Sequence, residues 1–299
     1  MTRDSPLRIS PSNLAILAVV VVYERGLDDV EAWAVLRTLL DQGQEAGRPW
    51  LAHLLIYDNS ASPRAAPATK VARCTYLHNP HNGGTAAAYT AAAQLAVDLG
   101  LPWLLLLDHD TRLPIDFLSA ADAAFGAAAA QPTAAALLPL VRHRDGALVS
   151  PVLVTRLGTF RPFASAKGPG PGHHISAIAS GAILRVARLT ELMPLPAELW
   201  LDYVDHWIFA QLHRRGLTSI VFGQVIQHDL SVLALAQLSP VRLDSVLRAE
   251  VRFHRLLGPM ARLIYPWRLA WRVVRIGCVN PGLALHALKS IAGMRPGFS

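Results

Sequence analysis

Charged residues are scarce in this chain. Asp, Glu, Lys and Arg make up 16% of its 299 residues, against 52% apolar residues. Such a composition excludes an intrinsically disordered protein and gives enough apolar side chain for a sizeable buried core. Cysteine is nearly absent. Cys74 and Cys278 are the only two, and they form neither a disulfide framework nor a metal-binding spacing, which fits a reducing cytoplasm. Long hydrophobic runs are missing too: the longest, Leu14 to Tyr23, is too short to span a bilayer. A basic segment leading into an apolar stretch and a small-residue cleavage site is not found, so no secretory signal is expected.

Acidic residues are missing from one region above all. From Ser239 onward there are ten Lys/Arg and two Asp/Glu, leaving 18 basic and 19 acidic groups for residues 1–238. The whole surplus of the +7 net charge therefore sits in the tail, and whatever it attracts meets the tail. Tyr265-Pro266-Trp267-Arg268-Leu269-Ala270-Trp271-Arg272 interleaves Trp with Arg, a pattern suited to an anionic membrane surface. A packing or dimer surface is the second reading. Nucleic acid is the third and least favoured reading, because no recognition module accompanies the charge.

What the chain does have is a set of short apolar runs that end in polar residues. Trp103-Leu-Leu-Leu-Leu leads directly into Asp108-His109-Asp110, a strand buried on both faces with two carboxylates at its C-terminal end. Open α/β sheets place their ligands there. Alternate residues of an extended segment point the same way, so Asp108 and Asp110 can face one point with His109 turned aside. Two hard oxygen donors beside a phosphate suit Mg²⁺ or Mn²⁺; the plain alternative is an Asp that caps the next helix.

Residues 1–13 read as a loose arm, followed by a strand at Leu14–Val22 and a helix from the Asp28-Asp29 start to about Gln44. A second strand, His53–Tyr57, runs into Asp58-Asn59-Ser60. A third near Cys74–Leu77 leads through Asn79-Pro80-His81-Asn82-Gly83-Gly84 to an Ala-rich helix closed by Gly100. Backbone amides after the two glycines can approach an anion closely. A helix is expected from Pro114 to about Ala130, then strands at Ala134–Leu140 and Thr218–Phe222. Residues 161–174, rich in Pro and Gly, read as a loop near the site or a surface linker. The stretch Leu199–Trp207 begins a helix that runs to about Arg215, and from Pro240 the chain is helical. The β-α-β-β-α-β order argues for an α/β fold with a mainly parallel, helix-covered sheet. The expected division is an arm at 1–13, a catalytic domain at 14–238 and a basic helical extension at 239–299.

Several of these stretches together resemble a family 2 glycosyltransferase of the GT-A fold, most similar to the bacterial rhamnosyltransferase-like branch. They are a first strand ending in Val22-Tyr23, Ile-Tyr-Asp-Asn-Ser at 56–60, Asn-Pro-His-Asn-Gly-Gly at 79–84 and Leu-Asp-His-Asp at 107–110. Ser180-Gly181, Leu-Asp-Tyr-Val-Asp-His at 201–206 and His228 complete the set. The resemblance spans about residues 14–235 and implies a Rossmann-like mixed sheet with helices on both faces. It implies that Tyr23, Asp58, Asn82, Gly83, Gly84 and Asp108 bind a dTDP- or UDP-linked sugar donor. It makes Asp108, Asp110 and His228 the ligands of Mg²⁺ or Mn²⁺, and Asp205 or Asp202 the base acting on a glycan or lipid-linked acceptor. Two departures stand out. Trp207 follows His206 where many members have Glu, which leaves the base open between Asp202 and Asp205, and Glu24 stands where Asn or Thr is common. A non-catalytic sugar-nucleotide-binding protein is the first alternative. A sugar nucleotidyltransferase is the second, poorly served by Tyr23-Glu24-Arg25-Gly26. The implied location is the cytoplasm, at the inner face of the plasma membrane.

Overall fold

The computed structural model describes residues 15–45, 50–65, 71–164, 173–228 and 238–293. The expected arm at 1–13 and most of the Pro/Gly loop, 165–172, lie outside them.

The chain runs β1 (Ile16–Val22), α1 (Trp33–Glu45), β2 (Leu51–Asp58), β3 (Cys74–His78), α2 (Gly84–Asp98) and β4 (Trp103–Asp108). It continues α3 (Phe117–Ala120), α4 (Asp122–Ala129), β5 (Ala134–Arg142), β6 (Leu148–Ser150), β7 (Val152–Val154), β8 (Phe160–Pro162), β9 (Ile175–Ser176), β10 (Ile183–Arg185) and α5 (Val186–Thr190). It closes with α6 (Val204–Arg214), β11 (Thr218–Gln227), α7 (Pro240–Leu256), α8 (Pro259–Val279) and α9 (Pro281–Gly293).

The main sheet has the order β11-β5-β10-β4-β1-β2-β3, with β6 beside β5. β1 is parallel to β2 and β4, β2 to β3, and β5 to β11, while β10 is antiparallel between β4 and β5. Alternation along β1 sends Leu17, Val19 and Val21 to one core, with α2 and α6, and Ile16, Ala18 and Val20 to the other, with α1, α3 and α4. That double cover is why the central strands read as unbroken apolar runs. A third apolar cluster, including Leu243, Leu269 and Leu283, joins α7, α8 and α9.

Several elements differ from the expectations. The helix expected over 115–130 is two short helices meeting at Ala121. β11 runs past Phe222 to Gln227, because its register shifts between Val221 and Val225 around Gly223 and pairing then resumes. α6 starts at Val204, not near Leu199: residues 197–199 form a 3-10 turn and Tyr203 is left-handed, at φ 61°. The carbonyls of Trp200 and Leu201 meanwhile face away from a helix, accepting from Ala86 N and Thr85 Oγ1.

Candidate functional site

Three strands of the parallel half end side by side. Val21 is level with Asp108 and Val22 with Asp58, so both carboxylates rise from the same sheet edge with exposed Tyr23 beyond them. At the end of β4, Thr111 N donates to the Asp108 carbonyl at 3.1 Å and Asp108 N donates to Thr111 Oγ1 at 3.2 Å. This tight turn throws Asp110 back over the edge. Arg112 then bridges antiparallel to Gln227, the last residue of β11, and thereby brings the next residue, His228, alongside.

Asp108, Asp110 and His228 each present a ligand atom within 4.8 Å of the others. His228 Nδ1 lies 3.3 Å from Asp110 Oδ1. Ser180 Oγ donates to Asp108 Oδ2 at 2.8 Å and is 3.2 Å from His228 Nδ1. Burial raises the Asp110 carboxyl above its ordinary range; His228 works against this and Asp108 adds to it. Two carboxylates at close quarters with an imidazole suit a divalent cation better than they suit each other. Ser180 belongs to the Ser180-Gly181 pair noted in the sequence, which gave it no role of its own. It is brought there by Gly181, whose φ of +78° and close approach to Ile226 and Pro139 leave no room for a Cβ.

Asp58 is fully buried. Its oxygens accept from Ser60 N (2.9 Å), Arg64 N (2.7 Å), Ala65 N (3.2 Å) and the Tyr76 hydroxyl (2.8 Å). Burial alone would raise its pKa; the hydrogen bonds from Ser60, Arg64 and Tyr76 win and hold it at about 2. Asp58 thus organises residues 59–65. Glu24 closes the same loop from β1, accepting from Ala61 N at 3.0 Å and pairing with Arg64 at 3.0 Å.

The Asn79–Gly84 turn joins this loop to residues 200–201. Asn59 Nδ2 donates to the Gly84 carbonyl at 3.2 Å, and Asn59 Oδ1 is buried with no partner among the described residues. Asn82 is left-handed at φ 48° and Gly84 at φ 69°. A Cβ on Gly84 would lie 1.8 Å from the Trp200 carbonyl oxygen, and one on Gly83 2.6 Å from both Ala87 Cβ and Asn79 Nδ2. Gly84 therefore lets the start of α2 press against Trp200, and Gly83 lets it close on Asn79.

The structure separates the two candidate bases. Asp202 is buried and pairs through Oδ1 with Arg242 on α7 at 2.9 Å, leaving Oδ2 enclosed without a partner among the described residues. Burial pushes its pKa up to about 6, with Arg242 opposing and Asp205 adding. Asp205, half-buried in the first turn of α6, accepts from Ala179 N at 3.1 Å and His206 N at 2.7 Å. His206 bonds to Ser176 Oγ at 2.7 Å and stacks on Phe160, 4.5 Å between ring centres.

The fold and the clustered carboxylates define a GT-A-like α/β architecture with a candidate cation site at the sheet's C-terminal edge. No family model and no curated protein matches the sequence. Solved structures do resemble it. Mannosyl-3-phosphoglycerate synthase from Rubrobacter xylanophilus matches with a TM-score of 0.50 and 15% identity, over 81% of this chain and 74% of that one. Residues 1–349 of TarS from S. aureus match with a TM-score of 0.48 and 14% identity, over 93% of this chain and 88% of that one. At such identity the likeness to the synthase is one of fold.

Proposed function

We propose that the chain is an inverting, metal-dependent family 2 glycosyltransferase. It moves a sugar from a dTDP- or UDP-linked donor to a hydroxyl of a glycan or lipid-linked acceptor in bacterial surface-polysaccharide synthesis, with rhamnose the first sugar to test. One observation carries the reading: Asp108, Asp110 and His228 converge at the edge where Asp58 and Tyr23 also end.

The residues divide the work. The loop braced by Asp58 and the turn at Asn82, Gly83 and Gly84 bind the nucleoside and the donor sugar. Asp108, Asp110 and His228 hold Mg²⁺ or Mn²⁺, which when bound neutralises charge developing on the leaving diphosphate. Asp205 accepts the proton of the attacking hydroxyl. It is preferred to Asp202 because it is half-open, whereas Asp202 is tied to Arg242. Such a base is worth on the order of 10²–10⁴ in rate. The basic tail holds the enzyme at the inner face of the plasma membrane, beside a lipid-linked acceptor.

A thermal-shift screen of nucleoside diphosphates with and without Mn²⁺ or Mg²⁺ tests this. At a hundred times its dissociation constant a ligand should stabilise the fold by about 2.7 kcal/mol. The shift is expected with one base, only with metal, and is lost in Asp108→Ala and Asp110→Ala. Full transfer activity in either variant sinks the metal role, and binding without turnover on any acceptor points to a non-catalytic protein.

A further inference from the structure

Helix α8 is apolar on two opposite faces. Ala261, Tyr265, Leu269, Val273 and Ile276 point into the protein. Met260, Leu263, Trp267, Trp271 and Val274 form a second stripe that is 51–75% exposed. At 100° per residue the two stripes are centred half a turn apart. Packing against α7 and α9 requires only the first. The second leaves two tryptophans, 75% and 66% exposed, in water.

We infer that this outer face of α8 docks on the interface of an anionic phospholipid bilayer, with the helix lying flat. The inference rests on the membrane-side reading above. Charge argues for that occupant. The two acidic residues of α7–α9 are already engaged, Glu250 by Arg272 and Asp244 by His286. Arg248, Arg252, Arg255, Arg262, Arg275 and Lys289 make no ion pair among the described residues. Trp beside Arg is the composition of a helix at the headgroup boundary, with rings in the acyl edge and cations among phosphates. No helix among the described residues is long and apolar enough to cross a membrane. A second copy of the chain fits less well: a two-fold contact would set this cationic region against itself with no carboxylate left to answer.

Docking there would register the site to the bilayer. From the flank of α8, Arg268 donates to the Gly158 carbonyl at 2.8 Å, and Arg272 pairs with Glu250, which bonds the Tyr203 side chain. The docking helix is thus one layer from Asp202 and Asp205.

The test is co-sedimentation of the full chain with vesicles of phosphatidylcholine alone and of phosphatidylcholine mixed with phosphatidylglycerol. Binding is expected only to the anionic vesicles and is expected to weaken as salt is raised. Trp267→Ser/Trp271→Ser should lower the partition coefficient about tenfold or more, and Arg275→Glu about fivefold or more. All three positions are exposed, so the melting temperature should not move. Wild type left in the supernatant, or a tryptophan variant that sediments like wild type, overturns the inference. So does a dimer in lipid-free solution that the tryptophan variant abolishes. A metal-dependent nucleotide shift run on the same samples separates the two proposals. Its presence without vesicle binding overturns only the docking face, and vesicle binding with no nucleotide shift overturns only the transferase reading.

Discussion

Gly84 shows how a single missing methyl group sets the site. Its φ of +69° disfavours any L side chain, and the Trp200 carbonyl lies where a Cβ would go. Gly100 has almost the same φ, +66°, with nothing within 4 Å of an added Cβ. The pair separates conformational strain from collision. Gly100→Ala should cost about 1–2 kcal/mol. Gly84→Ala should cost clearly more and also weaken nucleotide binding, because residues 200–201 must shift; urea titrations of both variants check the difference. Asp58 is the second residue-scale case. Its pKa is about 2 when folded, against an ordinary 3.8, so its ionised form stabilises the protein by about 2 kcal/mol at neutral pH. That contribution is complete above pH 4 and is lost as pH falls toward 2. Asp58→Asn should therefore be destabilised at pH 7, with the gap to wild type closing in acid. A gap that stays constant across that range would show that the carboxylate charge is not what braces the loop.

Between elements, the informative contact is α7 against the start of α6. Arg242→Ala leaves Asp202 buried without its partner. The expected loss at pH 8 is about 2–3 kcal/mol, less than for a fully enclosed pair because the Arg242 side chain is 25% exposed. The folded-state pKa of Asp202 is already about 6, and losing the guanidinium raises it further. The penalty therefore opens as pH rises through 6 and vanishes near pH 4, where Asp202 is protonated in both proteins; denaturation midpoints across that range report it. This contact was not legible in the sequence, since nothing local links residues 202 and 242. What was legible lay at strand ends. Runs such as 103–107 and 54–57 are apolar because both faces of the sheet are covered, and the first polar residue after each is where the strand leaves the core, hence Asp58, Asp108 and Asp110. Ser180 carries no such signal, because it ends no apolar run and meets Asp108 and His228 from far along the chain; Asn59 follows β2 directly, but its partner at Gly84 is equally remote in sequence. The late start of α6 was hidden for a similar reason: its would-be first turn instead offers carbonyls to Thr85 and Ala86.

At the scale of the whole molecule, the basic helices are not an appendage. Ala249 on α7 belongs to the same apolar cluster as Val19 and Leu106 of the central strands. Phe253 sits 5.9 Å from the His206 ring and 5.8 Å from Phe160. Helices α8 and α9 share a cluster of their own with α7, so α7 serves two cores at once. If the tail melted by itself it would uncover Asp202, Tyr203 and His206 together, removing the Arg242 partner of Asp202 and leaving aromatic surface in water. Coupling of this kind makes separate melting costly, although the tail is distinct in charge and proposed role. Calorimetry should accordingly show one transition, with a calorimetric enthalpy close to the van't Hoff value. Two resolved transitions would mean that the α7 contacts are too weak to transmit order. In that case a bilayer holding α8 would anchor the α/β domain without orienting it, and residues 202–206 would gain no register from the membrane.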